Sequence, residues 1–341
     1  MRKNINKLIN YATIYDTIKS IRNYFMFVDN ILNCVILGSG PAGYSSAIYA
    51  ARAYLTPILY TGMEPGGKLT TTTCVDNYPG YPEGINGSKL MEKLEEQAKR
   101  FHTIIKKQEA VYFEFSTSHK MGVIHQIKND YGNIIKTRGL IISTGTTPKY
   151  LGLYSEKRLI GFGVSSCATC DGFLYRAKNV AVIGGGDTAI EDTIYLSKIC
   201  AKVYLLVRRG YFRASKVMQY RISILSNVET LFNYEIAEIL GDKTVKGIRV
   251  VNNKTNKKKF FSIEGLFLAI GNTPNTQPLK GKLKMDDKGY ILTEKVSTKT
   301  NTQGVFAAGD VQDPIYRQAI TSAGTGCMAA LDLERYLSIV K

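Results

Sequence analysis

One pattern, met twice in a chain of 341 residues, limits the fold more than any other feature. A short apolar run, Asn33–Leu37, stops at Gly38; small residues follow, then helical spacing from Ala42 to Ala53, then a second run, Thr56–Tyr60. The same order returns as Asn179–Ile183, Gly184–Gly186, Thr188–Ile199 and Lys202–Val207. Repeated strand–turn–helix–strand units of this kind build a parallel sheet flanked by helices. At about 150 residues per domain, the length also fits two domains.

Two Thr-Pro segments punctuate the chain. Thr144–Pro148 follows the apolar run Gly139–Ser143, and Gly271–Pro274 follows Gly265–Ile270. They stand at either end of the second unit and read as linkers. The chain is therefore read as α/β, with two Rossmann-like dinucleotide-binding domains, the second inserted into the first. Residues 33–148 and 275–341 form the first domain and 149–274 the second, with 1–32 as an N-terminal extension.

The first turn reads Gly38-Ser39-Gly40-Pro41-Ala42-Gly43. Glycine at the first place permits a tight turn, at the second it admits a pyrophosphate to the backbone, and at the third it lets helix and sheet pack closely. The helix N-terminus then offers free N–H groups to the phosphates. The acid that usually ends the second strand is missing, because that strand ends Tyr60-Thr61-Gly62. The loop Thr61–Leu69 is expected to serve the ribose through its backbone. The second turn, Gly184-Gly185-Gly186-Asp187-Thr188-Ala189, carries the same logic with Ala in the third place. Its second strand ends at Val207, followed by Arg208, Arg209 and, nearby, Arg213. An acid there binds the 2′-hydroxyl of NAD. Arginines suit a 2′-phosphate by charge and fork geometry, which favours NADPH. A third segment, Gly304–Asp310, is an apolar strand ending in small residues and an Asp, a place for a flavin ribityl hydroxyl or for a plain strand-end cap.

Cys167-Ala168-Thr169-Cys170-Asp171 is the one close cysteine pair. Such a pair is a redox dithiol or half of a zinc site. Zinc needs two more ligands, and His102, His119 and His125 are not paired with another Cys at ligand spacing, so no metal is expected. The redox reading gains from Asp171, a carboxyl able to deliver a proton to a leaving sulfur. Cys34, Cys74, Cys200 and Cys327 lie singly and read as buried free thiols.

The formal net charge is +17. The basic residues are spread, with a local run Lys257–Lys259 in a polar segment, 252–259, that reads as a hairpin tip. No nucleic-acid motif accompanies them, so a basic solvated surface is the reading. No apolar run reaches the roughly 20 residues of a membrane span, and no secretory core precedes the first strand, so a cytoplasmic protein is expected. Residues 1–25 carry Arg2, Lys3, Lys7, Lys19 and Arg22 against Asp16, and read as a disordered arm or a misassigned start.

Taken together, these segments closely resemble the low-molecular-weight thioredoxin reductases, from about Asn33 to the C-terminus. GSGPAG at Gly38, TGMEPGGKLTTTT at Thr61, GVSSCATCDG at Gly163, AVIGGGDTA at Ala181, RRGYFRA at Arg208 and FAAGDVQDPIYRQAITSAGTGCMAA at Phe306 carry the resemblance. It implies a homodimer that holds FAD on Gly38–Gly43, on Thr61, Gly62, Gly66, Gly67 and Lys68, on Asn77, and on Gly309, Asp310, Arg317, Gln318 and Ala319. NADPH would lie on Gly184, Gly186, Asp187 and Thr188 with Arg208, Arg209 and Arg213. Electrons would pass from NADPH through the flavin to a Cys167–Cys170 disulfide and then to thioredoxin, the inserted domain turning between half-reactions. The sequence departs from the family at Lys68 for Gln, Val207 for His and Asp187 for Asn or Ser; the last puts an anion near the phosphates. Two relatives of similar build fit less well. An alkyl hydroperoxide system's reductase subunit needs an extra leading domain, and a ferredoxin–NADP reductase lacks the CxxC.

Overall fold

The computed structural model describes residues 31–72, 74–116 and 122–340. The basic segment 1–25 and His119 lie outside the described residues. By their packing, the described residues form two compact units. One comprises 31–67, 93–145 and 276–340, the other 68–92 and 146–275. Residues 68–92, which the sequence reading assigns to the first domain, thus group with the second unit.

The first unit is built on a five-stranded parallel sheet in the order Val305–Ala307, Leu140–Ile142, Val35–Leu37, Ile58–Tyr60, Ile104–Lys106. Its inner strands are apolar throughout and buried at every position, as strands covered on both faces must be. Helix Pro41–Arg52 packs against the long C-terminal helix Ala319–Ile339. Close approach is possible there because Gly326 has no side chain; a Cβ would lie 2.2 Å from the Ala42 carbonyl oxygen. A second sheet of this unit includes His125–Asn129, antiparallel to its neighbours Ala110–Glu114 and Ile134–Thr137.

The second unit repeats the plan. Its parallel sheet runs Val164–Ser165, Gly265–Leu268, Asn179–Ile183, Lys202–Val207, Val228–Phe232. Alternate residues feed two cores: Val180, Val182 and Leu205 enter one, Ala181, Leu206 and Leu266 the other. Three antiparallel strands, Tyr234–Leu240, Gly247–Asn252 and Lys258–Phe261, follow, with exposed lysines at the hairpin tip.

The two segments read as linkers are themselves strands. Thr146–Pro148 pairs antiparallel with Asn272–Pro274. Both crossings of the chain therefore run side by side as one two-stranded ribbon. Among the described residues, no helix is long and apolar enough to cross a membrane.

Candidate functional site

In the first unit the Gly-rich turn is shaped by its close backbone packing. Gly38 has φ +101°, and a Cβ on it would stand 2.3 Å from the Ser143 carbonyl oxygen. Gly43 sits so close beneath that its Cβ would fall 1.9 Å from the Gly38 carbonyl oxygen. Gly40, between them, faces open space, and the helix it caps has Pro41 at its start and no side-chain cap. Uncapped N–H groups beside open space are what a pyrophosphate requires. Ser39 ties the next loop to this turn: its hydroxyl donates to the Thr61 carbonyl at 3.2 Å and accepts the Gly66 N–H at 2.9 Å. Gly66 and Gly67 follow at positive φ, and Gly67 passes 3.6 Å from the Gly40 Cα, measured from where its Cβ would be. The resemblance groups Thr61, Gly62, Gly66 and Gly67 with this turn; Thr61, Gly66 and Gly67 meet it, whereas the Gly62 N–H bonds the Gln108 carbonyl at 3.0 Å.

At the other end of the unit, Gly309 turns at φ +76° against Ala42, and Ser322 donates to Asp310 Oδ1 at 3.0 Å. Gln318 caps the last helix reciprocally with Thr321, so Ala319 is its first residue. Asp313, which the sequence reading did not single out, shapes the loop by accepting the N–H groups of Ile315, Tyr316 and Arg317. Arg317 has φ +49°, and its Nε is buried without a protein acceptor among the described residues. A buried guanidinium nitrogen aimed at no protein oxygen fits a ligand with acceptor atoms. The open cradle at Gly40 and this orphaned donor together fit a flavin dinucleotide.

The second unit repeats the turn with a different finish. Gly184, at φ +152°, would place a Cβ 2.4 Å from the Ala269 carbonyl oxygen, whereas Gly186 faces open space at the uncapped start of helix Asp187–Ser197. Thr188 is exposed beside it. The Gly185 carbonyl accepts the Arg213 N–H at 2.7 Å, folding the arginine segment back over the turn. Arg208, Arg209 and Arg213 are all exposed, and Arg209 stacks on Tyr211 with its carbon 5.8 Å from the ring centre. Asp187 is turned aside. Its Oδ1 accepts the Ser215 N–H at 2.9 Å and the Ser215 hydroxyl at 3.0 Å, bonds that hold its carboxyl below the usual range. Its charge is thus engaged at the start of helix Lys216–Ser223, where the helix dipole favours an anion.

Lys68 and Asn77 fall in the segment that groups with the second unit. Lys68 Nζ donates to Thr146 Oγ1 at 3.2 Å and lies 3.5 Å from Asn272 Oδ1, one partner from each strand of the linker ribbon. Asn77 is exposed on the loop that follows.

The cysteine pair is a disulfide with Cα atoms 5.3 Å apart. Cys167 precedes and Cys170 lies within the single helical turn Ala168–Asp171, a spacing that sets both sulfurs on one face. The Ser165 hydroxyl accepts the Cys167 N–H at 3.0 Å and fixes the entry into that turn. Asp171 follows at once. Burial pushes its carboxyl above the usual range; hydrogen bonding with Ser165 pulls it back, and the charge of Asp76 pushes it up further. A half-buried acid whose proton affinity is raised, next to a disulfide, can protonate a departing thiolate. Of the four remaining cysteines, Cys34 and Cys200 are buried, but Cys74 and Cys327 are only partly so. That corrects the uniform burial expected from sequence: Cys74 stands in an irregular loop, and Cys327 on a helix face toward the exposed Tyr49. Among the described residues, no cluster of His, Cys, Asp and Glu could hold a metal ion.

Comparisons with known proteins agree with this geometry. A Vibrio cholerae protein named thioredoxin reductase is 48% identical over 311 residues, covering 89% of this chain and 96% of that one. A solved structure of thioredoxin reductase from Giardia duodenalis superposes with a TM-score of 0.84 at 37% identity, over 90% of this chain and 99% of that one. A Pseudomonas fluorescens protein named glucosaminate ammonia-lyase is 47% identical over 311 residues, 89% of this chain and 95% of that one. The family model for pyridine nucleotide-disulphide oxidoreductases matches residues 32–326, and the chain belongs to that family.

Proposed function

We propose that this protein is an NADPH-dependent thioredoxin-disulfide reductase. The observation that carries the reading is the disulfide Cys167–Cys170 beside an acid whose proton affinity is raised by burial, in a unit with its own dinucleotide turn. Elimination of ammonia passes no electrons to a disulfide and leaves that pair without a role.

FAD and NADPH, when bound, supply the relay that delivers an electron pair to the disulfide. The chain's own residues do the rest. Gly38–Gly43 would cradle the FAD pyrophosphate, Thr61, Gly62, Gly66, Gly67, Lys68 and Asn77 would line its path, and Gly309, Asp310, Arg317, Gln318 and Ala319 would meet its flavin half. Gly184, Gly186 and Thr188 would receive NADPH, with Asp187 held aside by Ser215 and Arg208, Arg209 and Arg213 on the 2′-phosphate. Two arginine forks and a third positive charge favour that phosphate over a bare hydroxyl. Cys167 and Cys170 accept the electron pair as their bond opens, and Asp171 gives a proton to one released sulfur. The dithiol then reduces the disulfide of a thioredoxin by exchange. The inserted domain would turn on the paired strands Thr146–Pro148 and Asn272–Pro274, so that its disulfide and its nucleotide turn are presented one after the other. The family resemblance further supports a cytoplasmic homodimer acting on no nucleic acid and no membrane.

The test is reduction of a thioredoxin by NADPH, with NADH as control. The reading expects turnover with NADPH and much weaker turnover with NADH. No thioredoxin reduction with either would overturn it, and release of ammonia from an amino sugar acid would replace it.

A further inference from the structure

The segment that carries the three arginines is pinned along its backbone. Asn253 Nδ2 donates to the Arg208 carbonyl at 2.8 Å, and the Asn233 N–H donates to the Arg209 carbonyl at 3.2 Å. These two asparagines are joined in turn, the Asn253 N–H reaching the Asn233 carbonyl at 2.8 Å. At the far end the N–H groups of Arg213 and Ala214 both point to the Gly185 carbonyl, at 2.7 and 3.2 Å. Between these ties Phe212 turns inward. Its ring meets Phe232 edge-on with centroids 4.9 Å apart, and it packs on the core that contains Val207 and Ala214. Tyr211, its neighbour, stays outside and is 60% exposed.

Tyr211 makes two contacts with Arg209. Its hydroxyl accepts from Arg209 Nη1 at 3.3 Å, and the guanidinium carbon lies 5.8 Å from its ring centre. A cation is drawn to the face of an aromatic ring, and the hydroxyl oxygen adds direction to that attraction. Both contacts leave the guanidinium its full charge and most of its N–H donors, so it can still take an anion. Arginine has many rotamers, and fixing them on a bound phosphate costs affinity. An arginine already held by a ring on a pinned backbone loses less freedom when the phosphate arrives.

We propose that Tyr211 is a positioning residue for the choice of nucleotide: it holds the Arg209 guanidinium ready for a 2′-phosphate, so that NADPH gains an affinity that NADH does not. This rests on NADPH being the reductant and Arg209 one of the groups that meet its phosphate. The gain comes from ordering Arg209 before binding, and for one long side chain that is worth about two- to tenfold in affinity. NADH shares the adenine, both riboses and the pyrophosphate, but it offers a hydroxyl in place of the phosphate and gains nothing from a fixed Arg209. A ring that stacked on the adenine would serve both nucleotides alike, and the two roles therefore differ in what they predict.

The test is calorimetric titration of the oxidised holoenzyme with NADP+, which carries the same 2′-phosphate and cannot reduce the flavin, and with NAD+. Wild type, Tyr211→Phe, Tyr211→Ala, Arg209→Ala and the double variant of Arg209→Ala with Tyr211→Ala are compared. Tyr211→Ala should lower the preference for NADP+ over NAD+ by about two- to tenfold. Tyr211→Phe keeps the ring and loses the acceptor, so it should lower the preference less. Once Arg209 is removed, Tyr211→Ala should change the preference no further, as two residues acting through one contact require. If Tyr211→Ala leaves the preference at its wild-type value, weakens both nucleotides equally, or acts as strongly without Arg209 as with it, the role given to Tyr211 is wrong and the NADPH reading stands. If wild type shows no preference for NADP+, the NADPH reading is wrong and the inference falls with it.

Discussion

At Gly38–Gly43 the dinucleotide turn is braced by its own chain: Ser39 is 2% exposed and fastens the loop at Thr61 and Gly66 beside it, while Gly40 stays open. At Gly184–Ala189 the same backbone plan opens outward, with Asp187 and Thr188 exposed and three exposed arginines at the end of the neighbouring strand. A turn braced by buried hydrogen bonds suits a group that stays bound. A turn whose charged groups remain in water suits one that arrives, reacts and leaves, because desolvating its binding side chains offsets part of the binding energy. One structural unit thus supports two kinds of occupancy, and the difference lies in the side chains around the turn.

The largest effect separates both turns from the disulfide. Cys167→Ser or Cys170→Ser should abolish thioredoxin reduction, while flavin remains bound and reducible by NADPH. Substantial turnover by either variant would remove the disulfide from the path. Within the first turn, Gly38→Ala combines a positive φ with a backbone clash at 2.3 Å. Together these should cost about 3 kcal/mol, with loss of flavin on purification, readable as a lowered denaturation midpoint. Gly186→Ala sharpens the contrast. Its added methyl meets nothing in the protein, so stability should stay within about 0.5 kcal/mol while NADPH binding weakens. Equal damage to stability at both glycines would erase the proposed distinction.

Arg208→Ala with Arg209→Ala should weaken NADPH far more than NADH, by roughly ten- to a hundredfold for each arginine–phosphate hydrogen-bonded pair removed. Equal weakening for both nucleotides would assign the arginines to the fold. The smallest effect belongs to the first unit alone. His125 is fully buried; it accepts the Ser116 N–H on Nδ1, so its Nε2–H faces the Gln303 carbonyl at 2.9 Å. Burial lowers its proton affinity, partly offset by the bond to Gln303. The unfolded chain therefore binds a proton more readily than the folded one. Stability should be fully present above the ordinary histidine range, near pH 6.5, and decline as pH falls below it. Thermal unfolding of wild type and His125→Gln between pH 7.5 and 5, taken as roughly the span of that titration, checks this. A flat wild-type profile would contradict it.

Much of this was legible in the chain because both signals are local. The apolar runs at Val35–Leu37 and Asn179–Ile183, the glycines behind them and the arginines after Val207 lie within a few residues of their motif. What long-range packing decides was not legible. Nothing in the sequence pairs Thr146–Pro148 with Asn272–Pro274, since their pairing joins residues more than a hundred positions apart. The anion at Asp187 looked unfavourable for a nucleotide until Ser215, 28 residues on, proved to hold it. Glycines at positive φ with a backbone atom close by were the available signal, and a sequence does not reveal what lies across from them.

The central claim is that electrons from NADPH pass through the Cys167–Cys170 pair. The most direct measurement adds NADPH to the holoenzyme without oxygen, alkylates free thiols, and weighs the peptide that carries both cysteines. Before NADPH the pair should resist alkylation; after NADPH both sulfurs should be modified; and oxidised thioredoxin added before the alkylating agent should restore the disulfide. If NADPH bleaches the flavin and thioredoxin is reduced while the pair stays unmodified throughout, the account is contradicted.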